Sequence, residues 1–242
     1  MNNESTQSLP PHWGDDTLSD FIKSAYSNTL ATFVHKTQGF DQLKQIDDYF
    51  MTIGTNLNNP SNLVCGLLLL RSHSAFRASC RLAMSGQAAD TFPSLRACLE
   101  YALYAVHIQR KSLAEVWLNR HENADAHKKS KSEFQMAKVM GSLQSKSIAQ
   151  HKIIKELYER TIDFGAHPNE RSVTSNMTIE GDENRMELKQ IYLHNDSAAL
   201  DHILKTTAQV GLGSLRMFEL IFPERMALLG LQEKIDKLRN QL

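Results

Sequence analysis

The sequence predicts an all-α fold: a helical bundle around a central antiparallel helical hairpin, with a small irregular or β-hairpin insertion near 169–195. Three observations predict it. Glycine (11) and proline (6) are sparse in 242 residues, unlike the turn-rich composition of all-β chains. Apolar residues recur at helical spacing along most of the chain. Helix breakers (Pro60, Gly86, Gly165, Pro168, Pro223) fall between the periodic segments.

Residues 1–14 read as a flexible leader, with Pro10-Pro11 excluding helix. Residues 15–222 read as the bundle domain, and 223–242 as a C-terminal amphipathic helix. Asp15 or Asp16 can cap a first helix whose apolar positions include Leu18, Phe21, Ile22, Ala25, Phe33 and Val34. A second helix, about 40–57, carries Leu43, Ile46, Phe50, Ile53 and Leu57, and Asn58-Asn59-Pro60 ends it. Ser61 or Asn62 caps the third, which runs to Ser85, with Gly86 as the residue past its end. The fourth reaches Gln109, and Pro93 must begin or kink it.

Ser112-Leu113-Ala114-Glu115 is a capping-box pattern opening a fifth helix. Residues 123–145 are polar but helix-compatible. A further helix spans 148–164 and closes at Gly165 and Pro168. Within 169–195, Val173, Met177 and Ile179, then Met186, Leu188 and Tyr192, alternate around a turn at 181–184. Residues 197–221 form a long apolar helix in which Gly211 and Gly213 permit close packing. Pro223 separates it from a last helix with Met226, Leu229, Leu231, Ile235 and Leu238.

Lys+Arg and Asp+Glu both number 27, giving zero formal charge. Global electrostatics therefore favour neither nucleic acid nor a membrane surface as partner. Cys65, Cys80 and Cys98 sit in helical apolar patterns without a C-x-x-C pair, which suggests a reducing compartment. The N-terminus has neither the basic nor the apolar region of a signal peptide. The densest apolar run, 67–70, is far short of the ~20 residues that span a bilayer. A cytoplasmic protein without membrane contact is expected. No phosphate-binding or dinucleotide motif is present, so no cofactor is expected. His121, Asp125 and His127 lack the further ligands a metal needs, and His194, Asp196, Asp201 and His202 read as a helix start, so no metal site is expected.

On the third helix, Val64, Leu67, Arg71, Ala75, Ala78 and Leu82 share one face at 100° per residue. That places Arg71 amid apolar surface, where it needs a partner. On the fourth, Arg96, Glu100 and His107 form one stripe, and Glu100 suits Arg71 or Arg96. The four form either a polar ligand pocket or a salt-bridge network fixing two helices. His73, Arg77 and Arg81 form a separate basic stripe: a solvated face or a set of phosphate contacts.

The segment 158–169 is the most suggestive of chemistry. Arg160 and His167 are seven residues apart, nearly the same helix face. Imidazole moves protons near neutral pH and guanidinium stabilises charge on phosphate. Together they suit metal-free cleavage of RNA, where the ribose 2′-hydroxyl attacks. The structural alternative has His167 capping a helix C-terminus and Arg160 paired with Glu156 or Asp163.

Arg-x6-His on a helix resembles the Arg-x4–6-His motif of the HEPN superfamily of helical domains. The pattern RSHSAFRASCRLAMSGQAADTFPSLRACLEYALY, residues 71–104, is also similar to uncharacterised bacterial helical proteins of HEPN-like type. The resemblance covers roughly 60–220. It implies a ribonuclease of the toxin–antitoxin or phage-defence kind, metal-independent, with RNA as substrate and a cognate partner protein. It further implies a homodimer with the motif at its interface, Arg160 and His167 as the catalytic pair, and Thr161 as the polar residue after the arginine. Two rival readings stand beside it. One is a non-catalytic helical interaction or scaffold protein that self-associates through the last helix. The other is a small-molecule-binding bundle whose site is Arg71, Arg96, Glu100 and His107.

Overall fold

The computed structural model describes residues 10–58, 60, 62–182 and 185–242. Of the expected leader, 1–9 lie outside the described residues, as do Ser61 and the tip of the 181–184 turn. Residues 10–16 form tight turns, with the Trp13 amide donating to the Pro10 carbonyl at 3.1 Å. The remainder is an all-α bundle with one two-stranded antiparallel insertion.

The first and third helices each start at one of the two caps expected for them. Asp16 accepts from the Leu18 and Ser19 amides and opens α1, Thr17–His35. After α2, Thr37–Thr55, Asn62 accepts from the Val64 and Cys65 amides and opens α3, Leu63–Met84. These bonds satisfy amides that the first helical turn leaves without partners. Gly86, at φ 83°, reverses the chain into α4, Ala88–Ile108. Three contacts show that α3 and α4 run antiparallel: Asn62 to the Ile108 carbonyl, Cys65 to that of Ala105, and Ser72 to that of Cys98.

Helix α5, Lys111–Leu118, begins one residue before the expected capping box. The Arg110 carbonyl takes the Leu113 amide, so Ser112 lies inside the helix and caps nothing. Short helices α6, Ala124–Glu133, and α7, Met136–Lys146, lead to α8, Ile148–Thr161, which ends in a π-helical turn, Ile162–Ala166. A single helical turn, α9, Glu170–Thr174, precedes strands β1, Met177–Asp182, and β2, Arg185–Gln190. Helix α10, Ala198–Glu219, is buried almost all round and threads the core. Its Gly211 lies against Phe76 and Ile46, and its Gly213 against Ile154. The last segment is two helices, α11, Pro223–Leu228, and α12, Leu231–Arg239, separated by Gly230 in the left-handed conformation. No described helix is long and apolar enough to cross a membrane.

The expected face of α3 is rotated. Its buried side is Cys65, Leu68, Leu69, Ser72, Phe76, Ser79 and Ala83, whereas Leu67 is half exposed. Arg71 is therefore an exposed residue, not a buried charge. His73, expected on a solvated basic stripe, is buried and stacked on Phe50 at 5.1 Å. It donates to Asp47 of α2 at 2.6 Å, and Arg77 grips the same carboxylate at 2.7 and 2.8 Å. Arg81 alone of that stripe keeps an uncommitted exposed position among the described contacts.

Burial opposes the charge on Asp47, but the hydrogen bonds and positive charge of Arg77 and His73 outweigh it and hold its pKa below 3.8. Asp47→Ala is expected to lower stability by about 1–3 kcal/mol in urea unfolding at pH 7, because a buried ring and a guanidinium lose their acceptor. A carboxylate with a depressed folded pKa stabilises above its unfolded value, and the effect is lost as pH falls through the folded one. The gap between wild type and variant should therefore close below pH 3.8. An unchanged midpoint at pH 7 would refute the role given to Asp47.

Candidate functional site

Ser147 caps α8 through the Gln150 amide, and the helix buries Ile154, Leu157, Tyr158 and Thr161. Arg160 falls at the edge of that face. It donates to Gln209 of α10 at 2.7 Å and to Glu156 one turn back at 2.8 Å. The Arg160–Glu156 pair is the structural alternative read from the sequence. Thr161 is fully buried and its hydroxyl donates to the Tyr158 carbonyl at 2.7 Å. That corrects its expected role, since a sealed hydroxyl cannot meet a substrate.

The chain then leaves the helix. The π turn and Gly165 end the regular 100° step, so seven residues no longer return His167 to the face of Arg160. Asn169 ties the exit down: its side-chain amide donates to the Ile162 carbonyl at 2.7 Å, and it forms a capping box with Ser172. His167 is exposed beside a depression lined by Asp90, Pro168, Ser172 and Asn176. Arg160 lines a different one, with Leu157, Gln209, Gly213, Arg216 and Leu242. The two depressions share no lining residue, so the pair does not line one pocket.

The histidine that does lie near Arg160 is His202, on α10. Its ring is 5.6 Å from that of Phe164, which also stacks on Phe92 at 5.5 Å. Burial, then the charges of Arg160 and Lys205, push its pKa down. It stands seven residues before Gln209, the partner of Arg160, a spacing that could have drawn attention to it.

The polar stripe of α4 divides in two. Arg96 donates to Glu100 at 2.9 Å and to the Tyr158 hydroxyl at 2.8 Å, and that hydroxyl donates to Glu100 at 2.9 Å. The guanidinium also lies over the Tyr158 ring, 5.1 Å from its centre. Burial and the neighbouring Glu100 push the Tyr158 pKa up to about 12, so the phenol stays a donor. This closed triangle locks α4 to α8. Arg71 is not part of it and lies over Tyr101 instead, at 5.3 Å. His107 is buried 6% exposed, between Ser142 at 2.7 Å and the Glu133 carbonyl at 3.1 Å, and burial lowers its pKa. The four residues thus do not form one pocket. The depression beside Tyr158, lined by Met136, Met140 and Lys155, includes neither Arg96 nor Glu100.

In the other sequence clusters the carboxylates pair with lysines. Asp196 and Asp201 both hold Lys36, at 2.5 and 2.7 Å, and the His194 ring meets Asn176 at 2.8 Å. Asp125 pairs with Lys128 at 3.7 Å. Among the described residues, no group of three or more His, Cys, Asp or Glu side chains is placed to hold a metal. Burial raises the pKa of all three thiols, which keeps them protonated and unreactive.

The surface holds what the sequence did not foresee. The apolar residues of α12, expected to serve self-association, are spent internally: Leu231, Ile235 and Leu238 are buried. Helix α1 does the reverse. It buries Ala25 and Thr32 and anchors Asn28 to the Ser85 and His194 carbonyls, while Leu18, Ile22, Tyr26, Leu30 and Val34 face solvent and Phe33, half exposed, meets Phe40. The β1–β2 ribbon is also one-sided. Its register pairs Ile179 with Leu188, putting Met177, Ile179, Met186 and Leu188 on one face. All four are exposed. On the other face Lys189 bridges Glu180 and Glu187 at 2.5 and 3.9 Å. Comparison with family models, curated proteins and solved structures finds no match to this chain.

Proposed function

We propose that this chain is a non-catalytic helical interaction protein. The observation that carries the reading is α1, which docks on the body through Ala25, Asn28, Thr32 and Phe21 and leaves its other large apolar side chains exposed. Leaving a continuous apolar stripe in water is unfavourable, and such surfaces mark contact with another protein. The polar residues of α1, among them Asp20, Lys23, Ser24 and Ser27, are not the lysine- and arginine-rich set that an anionic membrane or a nucleic acid would need.

The HEPN-like ribonuclease is the second reading, and one observation favours it: the His167 ring is exposed and has no hydrogen-bond partner among the described residues. It requires Arg160 to exchange Glu156 and Gln209 for a phosphate, with His167 supplied across an interface. Incubation with single-stranded RNA in EDTA separates the two. The interaction reading expects no cleavage, and identical results for wild type, His167→Ala and Arg160→Ala. Cleavage by wild type that disappears in His167→Ala would replace it with the ribonuclease, and a cognate inhibitor would then be the partner to seek.

A further inference from the structure

Zero net charge conceals an asymmetry. Residues 110–155, from just past α4 to the middle of α8, hold ten of the 27 Lys and Arg residues but only four of the 27 Asp and Glu. From 134 to 155 there is no acidic residue at all. All ten cations are exposed. Lys128, Lys138 and Lys155 pair with Asp125, Glu133 and Glu159, and the others have no ion-pair partner among the described residues.

The fold gathers these charges at one end of the bundle. Helix α4 finishes at Ile108, and cations surround its last turns. The charges of Arg110 and Lys138 both bear on His107, that of Arg120 on Tyr104, and that of Lys146 on Cys65, whose thiol meets the Ala105 carbonyl. Complementing a helix end takes one or two cations, not ten. Helix α6 adds a second observation. It is polar all round and buries only Ser130. Its anchor is Phe134, just past its end, packed on Tyr104 at 5.3 Å and His107 at 5.1 Å. A helix that gives the core so little serves to present Lys128, Lys129 and Lys131.

We infer that this end of the bundle docks an acidic protein segment, with carboxylates on the cations and apolar side chains over Leu118 and Ile148. The inference rests on the interaction reading and adds a second contact to it. Helix α1 stands at the opposite end, where its Asn28 donates to the Ser85 carbonyl at the close of α3.

Three features favour a protein over a phosphate backbone or an anionic bilayer. Glu115, Glu122, Asp125 and Glu133 interrupt the cations of α5 and α6. A duplex carries a charge every ~1.7 Å and cannot skip them, and an anionic membrane surface is as continuous. A protein segment can set neutral or basic side chains opposite. Leu118 and Ile148 are 57% and 76% exposed, and apolar points within a charged rim suit a protein contact. The aromatic residues here, Tyr104, Trp117 and Phe134, are all half-buried, so the face offers no exposed ring for a base to stack on.

Labelled poly-L-glutamate should bind the full chain at low ionic strength, more tightly than polyuridylate or phosphatidylserine vesicles. Salt at ~1 M, with a screening length of ~3 Å, should abolish the binding. Arg120→Glu, Lys146→Glu and Lys152→Glu together should weaken it at least ~10-fold, as several opposed charge pairs would. Reversing three exposed lysines elsewhere, by Lys205→Glu, Lys234→Glu and Lys237→Glu, should leave it little changed. The two variants have the same net charge, so the difference between them locates the site.

No binding of poly-L-glutamate at low salt overturns the acidic partner and leaves the interaction reading to the RNA experiment. Equal weakening in the two variants overturns it as well, because charge and not place would then decide. Tighter binding of polyuridylate or of the vesicles overturns it in favour of a nucleic acid or a membrane. If the first variant loses its helical circular dichroism, Arg120→Gln, Lys146→Gln and Lys152→Gln together decide in its place.

Discussion

Gly211→Ala is expected to destabilise the protein by about 1–3 kcal/mol, the usual cost of overpacking a well-filled core. Gly141→Ala should stabilise it by about 0.5–1 kcal/mol, since alanine is the better helix former. Both glycines lie inside helices, so propensity favours alanine at each. What differs is space. A Cβ at Gly211 would lie 2.4 Å from Cε2 of Phe76 and 2.8 Å from Cγ2 of Ile46, while one at Gly141 meets nothing within 4 Å.

Phe76 cannot step aside. It is fully buried, and its ring rests on that of Phe50, which in turn packs on His73 and Phe218. Moving it would disturb the contact between α2, α3 and α10 at once. Thermal unfolding should show the two substitutions shifting the midpoint in opposite directions, by roughly 2–4 °C per kcal/mol for a chain of this size. A stabilised Gly211→Ala would mean that α10 is not seated as closely as described.

Close packing at Gly211 and Gly213 was legible in the sequence, as were the reversal at Gly86 and, to within one residue, the starts at Asp16 and Asn62. These are local chemistry: a side chain satisfies amides two or three residues away, or a missing Cβ admits a neighbour. The alternation that makes the β1–β2 ribbon is local too. The face of α3 was not legible, because residues 63–70 are apolar nearly all round and leave its phase open. The core side is marked instead by Ser72, whose hydroxyl is satisfied by the Cys98 carbonyl, 26 residues away.

Long-range pairing hid the rest. His73 looked like part of a solvated stripe because its acceptor, Asp47, belongs to another helix. Tyr158 escaped notice because nothing in its own segment announces Arg96 and Glu100. For α1, periodicity showed an apolar stripe but not what lies against it. A helix whose apolar side is exposed has the same composition as one that faces its own core.

Gly165→Ala is expected to lift the π turn off α4, at a cost of roughly 1–3 kcal/mol for a core clash. The two elements are fitted by two missing groups. Pro93 inside α4 has no N–H, so the Ala89 carbonyl lacks its normal helical donor. Gly165, without a side chain, settles over that carbonyl: a Cβ there would come within 2.3 Å of the Ala89 oxygen and 3.2 Å of the Phe92 Cβ. The first of these is backbone in the middle of a helical turn, so the 162–166 turn must move instead.

The Phe92–Phe164 stack would open with it, and so would the Asn169 bond that closes the exit. Hydrogen exchange should speed up across 162–176 while α3 stays protected, because the lost contact lies at the end of α8 and not in the hairpin. Unchanged exchange there would show that α4 tolerates the intrusion. The substitution also bears on His167 without touching its ring. A function that depends on where His167 stands must fall in Gly165→Ala, whereas one that depends on the exposed face of α1 must survive it.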